Sequence, residues 1–277
     1  RDLRMAISEF APGSEVVAAK RIWRSQGVRL LPNKEWEEIH YTICKECKRF
    51  HWGYSESEIS PTCKSCASSL PAVAKFIVPE QGFIAGNDTK SPGESAPQRT
   101  YASQVYFTEY RDSKNNTNDE SDLEIDDTLT SSNLRVYKKY SQHGWLALVN
   151  DGFGRGFKIC RYCGWSEPID FSPGLKGKSA HKNPLTGKDC KGGTNAYHLG
   201  HRFMTDVLEI SLDGREKLLY GRPAMMSLMY SLLDGASEAL GIRRDDIDST
   251  LFYKDFQRPP HMILYDTVPG GAGHVDR

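Results

Sequence analysis

Residues 39–66 read IHYTICKECKRFHWGYSESEISPTCKSC and carry four cysteines in two pairs. Two residues separate the cysteines within each pair, and fifteen residues separate the pairs. A two-residue spacing lets a tight backbone knuckle present both thiolates to one ion, and two knuckles complete a tetrahedron around zinc. We therefore predict a closed structural zinc ribbon. Its ligands are Cys44, Cys47, Cys63 and Cys66.

A second cysteine cluster lies farther along the chain. Cys160 and Cys163 repeat the two-residue spacing, and Cys190 is the remaining cysteine. We choose His181 as the fourth ligand of this site, so that the sequence predicts two Zn²⁺ ions. The competing histidines are His198 and His201. Residues three apart on a strand point to opposite faces, so these two cannot easily serve together. The alternative is that Cys190 only packs in the core.

Composition and charge restrict the class of protein. Hydrophobic residues make up 38% of the 277 residues, which is lean for a globular chain of this length. Six of the seven cysteines lie in pairs with the metal-binding spacing, which favours zinc in a reducing compartment over disulfides. No signal peptide and no apolar run of the ~18 residues that span a bilayer is present. We expect a cytoplasmic protein without a membrane partner.

Patterning along the chain predicts four parts and an α+β class, with a mixed α/β domain that follows an N-terminal zinc ribbon and contains a second zinc site. HRFMTDVLEISL alternates as a strand does, and AMMSLMYSLLDGASEALG is an amphipathic helix ending at Gly241. The parts are 1–35, a connecting segment with strands; 36–85, the zinc ribbon; 86–133, a largely disordered acidic linker in which QVYFTEY forms one strand; and 134–277, the α/β domain.

Positive charge concentrates around the second cysteine cluster. Residues 152–191 carry 8 Lys/Arg against 3 Asp/Glu, a local balance of +5, although the whole chain is neutral. Such a patch is typical of contact with nucleic-acid phosphates. The predicted DNA-binding residues are Arg155, Lys158, Arg161, Lys176, Lys178 and Lys182.

Three motifs resemble catalytic or phosphate-binding elements. SPGLKGKS at 172–179 lacks the first glycine of a phosphate-binding loop and does not follow a buried strand. TDVLEI has the acids Asp206 and Glu209 of a nuclease strand but places them on opposite faces, without the lysine that would follow. VPGGAGH at 268–274 presents backbone N–H groups to a phosphate or forms a tight packing turn. We predict no catalytic site in these residues.

Several motifs in order resemble one family. They are GFKICRYCGWSEP, HKNPLTGKDC, LGHRFMTDVLEI, SLLDGASEALGI and LYDTVPGGAGHV. Together they resemble the MrfA-like zinc-binding domain over about residues 134–277. That domain lies at the C-terminus of superfamily-two DExH-box DNA helicases and in anti-phage proteins of the DISARM and Druantia type. The resemblance implies a zinc site at Cys160, Cys163, His181 and Cys190, where many members have four cysteines, so His181 is a departure.

The resemblance also implies work on DNA by an ATP-driven motor that is not within these residues. Our hypothesis is a zinc-binding accessory C-terminal region, or partner subunit, of an ATP-dependent DNA helicase. It would contact single-stranded DNA or a duplex junction in bacterial DNA repair or antiviral defence, in association with the nucleoid and with the motor in cis or in trans. One alternative is a protein-interaction scaffold that recruits a helicase or nuclease. The other alternative is a metal-dependent nuclease.

Overall fold

The architecture is organised around its longest strand, β14 (Thr194–Gly214), in the computed structural model. The structure describes residues 2–31, 35–93, 96–97, 103–111, 123–169, 180–214 and 221–277. The α-helices in these ranges are α1 (Leu3–Glu9) and α2 (Arg222–Leu240). The other strands in chain order are β1 (Glu15–Ala18), β2 (Arg21–Val28), β3 (Glu38–Ile43), β4 (Phe50–Gly53), β5 (Ala74–Ile77), β6 (Phe83–Lys90), β7 (Ser103–Tyr110), β8 (Glu124–Ile125), β9 (Leu134–Asn150), β10 (Phe157–Cys160), β11 (Ser166–Pro168), β12 (His181–Lys182), β13 (Asp189–Cys190), β15 (Ile247–Phe252) and β16 (His261–Asp266).

Both edges of β14 have strand partners. On one edge β9 pairs antiparallel with it from Leu199 to Gly214, and β10 continues the pairing toward Thr194. On the other edge β5 pairs in parallel at His198 and Leu199, and β16 pairs antiparallel from Val207 to Ile210. Because a strand buried between partners on both sides has its N–H and C=O groups satisfied, β14 forms the centre of the sheet.

The remaining strands extend this sheet outward to eleven strands. β3 and β4 continue from β5, β15 continues from β16, and β7 and β8 pair with the outer edge of β9. β1, β2 and β6 form a separate three-stranded sheet, and β12 and β13 form a hairpin of their own. The predicted α+β class therefore holds only coarsely, since most of the regular structure is strand and the helix content is small.

The two faces of β14 contribute to two hydrophobic clusters. Phe203 and Val207 pack on one side with residues of β9, β10 and β16. Leu208 and Ile210 alternate with them and pack on the other side against α2, which buries Met225, Met229 and Leu233 there. This alternation is the period-two pattern expected of a strand covered on both faces.

Helix α2 forms where its amphipathic pattern predicts it. Pro223 lies in its first turn, where the missing N–H is not needed. The helix ends at Gly241, whose φ of +64° is a left-handed conformation that glycine adopts without a Cβ penalty. The end predicted from the sequence is therefore confirmed. No helix among the described residues has the length and apolar character needed to cross a membrane.

The large sheet crosses the segment boundaries predicted from the sequence. β3, β4 and β5 of the 36–85 segment share it with strands of the 134–277 segment. Within 86–133, the strand predicted at QVYFTEY is β7, and the short β8 also pairs with β9. The acidic residues 112–122 lie outside the described residues. The division into independent parts stays a prediction.

We expect Gly200→Ala to destabilise the junction between β5 and β14. A Cβ at Gly200 would overlap the ring of Phe76, which is 0% exposed, so either the ring or a strand must shift. Overpacking of this kind costs typically about 1–3 kcal/mol. Urea unfolding of the variant should show a lower midpoint.

Gly235→Ala provides the matched control, because a Cβ there meets nothing within 4 Å on α2. It should raise stability by up to about 1 kcal/mol through helix propensity. Equal stability of Gly200→Ala and the parent would contradict the tight approach of β5 to β14.

Candidate metal centres

The first cysteine cluster has the dimensions of a metal tetrahedron. The Sγ atoms of Cys44 and Cys66 lie 3.4 Å apart, and those of Cys47 and Cys63 lie 3.5 Å apart. Zn–S bonds of ~2.3 Å in a tetrahedron put sulfurs about 3.8 Å apart, whereas a disulfide needs ~2.05 Å. All four sulfurs lie within 4.8 Å of one another. The predicted first ligand set is thus brought together in the geometry that zinc requires.

Each cysteine pair is shaped by the same backbone turn. The residue after the second cysteine has positive φ: Lys48 at +61°, Ala67 at +58° and Gly164 at +76°. Its amide donates to the carbonyl of the first cysteine in the pair, at 2.9 to 3.1 Å. The turn aims both sulfurs of a pair to the same side. The two-residue spacing alone therefore specifies most of the local geometry.

His51 lies beside the first cluster and contacts one of its four cysteines. Its Nε2 lies 3.4 Å from Cys63 Sγ, and its ring is buried. Burial, helped by the nearby Arg49 and Lys64 cations, lowers the pKa of His51 to about 4. The ring is therefore neutral at pH 7, with one N–H available for the sulfur. His51 therefore has a packing role beside the first cluster.

The first cluster also contacts the far end of the chain. Tyr253, just after β15, packs in one buried cluster with Cys44, Cys47 and Cys63. Ser65 Oγ in the second knuckle donates to Tyr253 O at 2.5 Å. Sequence reasoning missed this contact, since no local pattern links residues so distant along the chain. The ribbon is consequently docked on the connection between β15 and β16.

The second cluster joins a knuckle to a hairpin. His181 and Cys190 are direct cross-strand partners in β12 and β13, so their side chains lie beside each other. Cys190 Sγ lies 3.9 Å from Cys160 Sγ, and the amide of Gly192 donates to Cys190 Sγ at 3.3 Å. Ligand atoms of all four predicted residues lie within 4.8 Å of one another. The fourth residue brought to the site is His181, as chosen from the sequence.

The competing histidines have other contacts. His198 Nδ1 is hydrogen-bonded to Tyr41 OH at 2.5 Å, and the ring of His201 stacks on Phe203 at 5.9 Å between centroids. His181 instead stacks on Trp165 at 4.7 Å and is 6% exposed. Trp165 thus holds the imidazole in place beside the three sulfurs.

The thiols within each cluster ionise unequally. Burial raises the pKa of Cys163 to about 12, and it raises the pKa of Cys47 still further above the usual thiol range. At Cys66 and Cys190 the opposing hydrogen bonds outweigh burial, so that the pKa of Cys66 is lowered to about 6 and that of Cys190 is also lowered. Neighbouring sulfurs in each cluster oppose a second negative charge. A bound divalent cation removes this opposition, because metal-coordinated thiols are deprotonated. The clusters therefore suit a bound divalent metal ion.

Some of the predicted DNA-binding residues form salt bridges with acidic side chains of the protein. Arg161 pairs with Glu38 at 2.8 Å, and Lys158 pairs with Glu167 at 3.4 Å. Arg155 and Lys182 are exposed on a loop and on β12. Lys176 and Lys178, like the whole SPGLKGKS motif, lie outside the described residues. Contact of this patch with DNA stays a prediction.

The glycine-rich motif at 268–274 surrounds buried carboxylates. Ala272 N and His274 N donate to Asp266 at 2.6 and 3.1 Å, and Gly273 N donates to Asp206 at 2.9 Å. These amides are thus used inside the protein, which makes the motif a tight packing turn. The other nuclease-like acid, Glu209, accepts from Tyr110 OH at 2.7 Å and pairs with His261.

A β-rich scaffold with two closed, sulfur-rich ligand clusters suits zinc, which has a structural part in closed sites of this kind. Residues 228–277 match the family model of the MrfA Zn-binding domain, which confirms the resemblance noted from the sequence. The matched residues contain α2 from Leu228 onward, β15, β16 and the glycine-rich turn, and both cysteine clusters lie outside them.

Known proteins that are similar to this chain include the following two. Druantia protein DruE of Escherichia coli (strain UMEA 4076-1) is 25% identical over 316 aligned residues, covering 100% of this chain and 16% of that protein. The chain thus spans about a sixth of that relative. A crystal structure of the DUF1998 helicase MrfA bound to DNA has a TM-score of 0.32 and 14% identity, covering 85% of this chain and 31% of that one.

We expect His181→Ala to lower the zinc content of the purified chain, because the second cluster then keeps only three of its ligands. His198→Ala should leave the zinc content unchanged while lowering stability through loss of the Tyr41 hydrogen bond. His181→Cys should retain the metal, since it makes a four-cysteine site. Mass spectrometry of native protein measures the bound zinc. A normal content in His181→Ala would exclude His181 as a ligand.

Proposed function

We propose that this chain is a zinc-binding accessory region of an ATP-dependent DNA helicase, acting in bacterial DNA repair or anti-phage defence. The observation that carries the proposal is the match of residues 228–277 to the MrfA Zn-binding domain. The alignment of the whole chain with part of a Druantia protein supports the defence setting. The motor belongs to another part of a longer chain or to a partner, in the cytoplasm near the nucleoid.

Two Zn²⁺ ions brace this region in the proposal. The first, held by the ribbon cysteines, ties β3 and β4 to the loop at Tyr253. The second, held by Cys160, Cys163, His181 and Cys190, joins the β10 knuckle to the β12–β13 hairpin. Metal binding of this kind contributes directly to folding free energy. A braced region of this type gives a motor a rigid surface against which to hold DNA.

The nuclease alternative has little support from the contacts of its two acids. Asp206 accepts from the Gly273 amide, and Glu209 is held by Tyr110 and His261. A two-metal nuclease needs carboxylates that converge on the ions, about 3.5–4 Å apart. These two acids alternate to opposite faces of β14 and have internal partners.

We expect purified protein to contain about two zinc ions per chain, because two clusters each offer four ligand atoms. Inductively coupled plasma mass spectrometry against protein concentration from amino-acid analysis gives the ratio. Cys44→Ser and Cys160→Ser provide the matched pair, since each should remove about one ion. A ratio near one in the parent would remove the second ion from the proposal.

We expect the 277-residue chain to bind single-stranded DNA with a strong salt dependence. Each phosphate contact adds about 0.7 to the slope of log affinity against log salt. Three contacts would reduce the affinity about tenfold or more between 50 and 200 mM salt. Fluorescence anisotropy with a labelled oligothymidine measures this.

An uncharged backbone analogue of the same oligonucleotide is the control and should bind weakly at every salt concentration. Absence of salt-dependent binding would favour the alternative of a protein-interaction scaffold. Cleavage of the oligonucleotide with Mg²⁺ or Mn²⁺ would instead favour the nuclease.

A further inference from the structure

We propose that a cleft between the zinc ribbon and the outer strands of the sheet binds a segment of single-stranded DNA. The inference rests on the proposed function and gives its DNA contact a location. The cleft, here called the ribbon cleft, has a volume of about 700 Å³. Its walls are 49–54, 58–60 and Lys64 of the ribbon, 107–111 of β7 and its end, and Phe252 and Lys254 at the end of β15.

Cations from four separate parts of the chain converge on the ribbon cleft. They are Arg49, Lys64, Arg111, Lys139 and Lys254. Lys64 and Lys254 are exposed and form no salt bridge with any described residue. Because like charges held together repel, such a group is stabilised by a bound polyanion.

The acids of the ribbon cleft offset only part of this charge, because three carboxylates line the cleft against five cations. Glu109 pairs with Arg202 at 3.2 Å. Glu58 accepts from the Tyr54 amide at 3.0 Å and from Ser55 Oγ at 3.1 Å. The third acid, Glu209, is held by Tyr110 and His261. The cleft therefore presents mostly positive charge to a ligand.

Aromatic side chains lie among these cations. Tyr54 is 58% exposed, and its ring meets Trp52 edge to face at 5.5 Å. The guanidinium of Arg202 lies 3.3 Å from the centroid of Trp52 and fixes that ring from beneath. A rigid, exposed aromatic ring beside lysines suits the binding of unstacked bases. Any base can stack on the ring while the adjoining phosphates of the strand contact the cations.

The aromatic rings favour a single strand over a duplex or a folded protein partner. Bases in a duplex are already stacked on one another and are not available to Tyr54. The cleft volume lies within the range of about 300–1,000 Å³ typical of ligand sites, which suits a short run of nucleotides.

The ribbon cleft also differs from the patch predicted around the second cluster. There, Arg161 and Lys158 already have acidic partners in Glu38 and Glu167. In the cleft, Lys64 follows a ligand of the first cluster and Lys254 follows the tyrosine that packs on it. The first zinc ion would therefore fix the backbone at both lysines. This reduces the conformational entropy that the lysines lose when they bind phosphates.

The test uses the double variant Lys64→Ala/Lys254→Ala and the single variant Tyr54→Ala in the full chain, with labelled oligothymidine as the probe. The double variant should lower affinity and reduce the salt slope by about 1.4, or about 0.7 per contact. Tyr54→Ala should lower affinity about tenfold, or about 1.4 kcal/mol, through lost base stacking, with the slope unchanged. An oligonucleotide carrying 5-iodouracil should photocross-link to the peptide that contains Tyr54.

The charge-matched control is Lys45→Ala/Lys188→Ala, which removes two exposed lysines that do not line the cleft and should leave binding unchanged. A second arm, Arg155→Ala/Lys158→Ala/Arg161→Ala, tests the patch at the second cluster. If both cleft variants bind DNA with the affinity of the parent, the ribbon cleft is not the DNA-binding site. Salt-dependent binding by the parent would in that case still support the proposed function. Absence of salt-dependent binding by the parent would overturn both.

Discussion

Pairing along both edges of β14 is the constraint on which the rest of the structure depends. Its backbone groups are satisfied by β9 and β10 on one edge and by β5 and β16 on the other. Unpaired backbone groups in a buried strand are costly, so these partners must all be present together. The strand thereby brings the ribbon, the second knuckle and the family-matched C-terminal residues into one sheet. Gly200 contributes by letting the Phe76 ring lie directly against the β14 backbone.

The two cysteine-rich clusters provide packing in parts of the structure that the hydrophobic clusters do not reach. Tyr253 packs against the first cluster, so the sulfurs take the place that apolar side chains fill elsewhere. The second cluster closes the knuckle at Cys160 onto the β12–β13 hairpin, whose two strands are only two residues long. Hairpins of that size are marginal alone, and a shared metal stabilises them by removing unfolded conformations. The first cluster also links the stability of the fold to the proposed DNA contact, because the ribbon cleft borders this cluster.

Long-range contacts change the meaning of several sequence features. The glycine-rich motif at 268–274 has the composition of a phosphate loop, but its amides are used by Asp206 and Asp266. Arg161 contributes to a basic run in the sequence, but its guanidinium is engaged by Glu38 from a strand more than a hundred residues away. Charge and glycine content are local properties, whereas the partner of a charge is decided by folding. A basic or glycine-rich run in the sequence therefore does not by itself specify which groups are available to a ligand.

The sequence by itself determined both cysteine sets, the end of α2 at Gly241, the presence of strands within residues 1–35, the strand β7, and the alternation of β14. In each case the cause is short-range, since knuckle spacing, caps and strand periods act over a few residues. It favoured His181 over His198 without deciding between them. Only the tertiary structure sets His181 across from Cys190 and places His198 against Tyr41. His181 as the metal ligand stays a prediction. The tertiary structure alone also joins the ribbon to the main sheet and brings the lysines of the ribbon cleft together. Strand order and the docking of distant segments depend on long-range packing, which no local sequence pattern encodes.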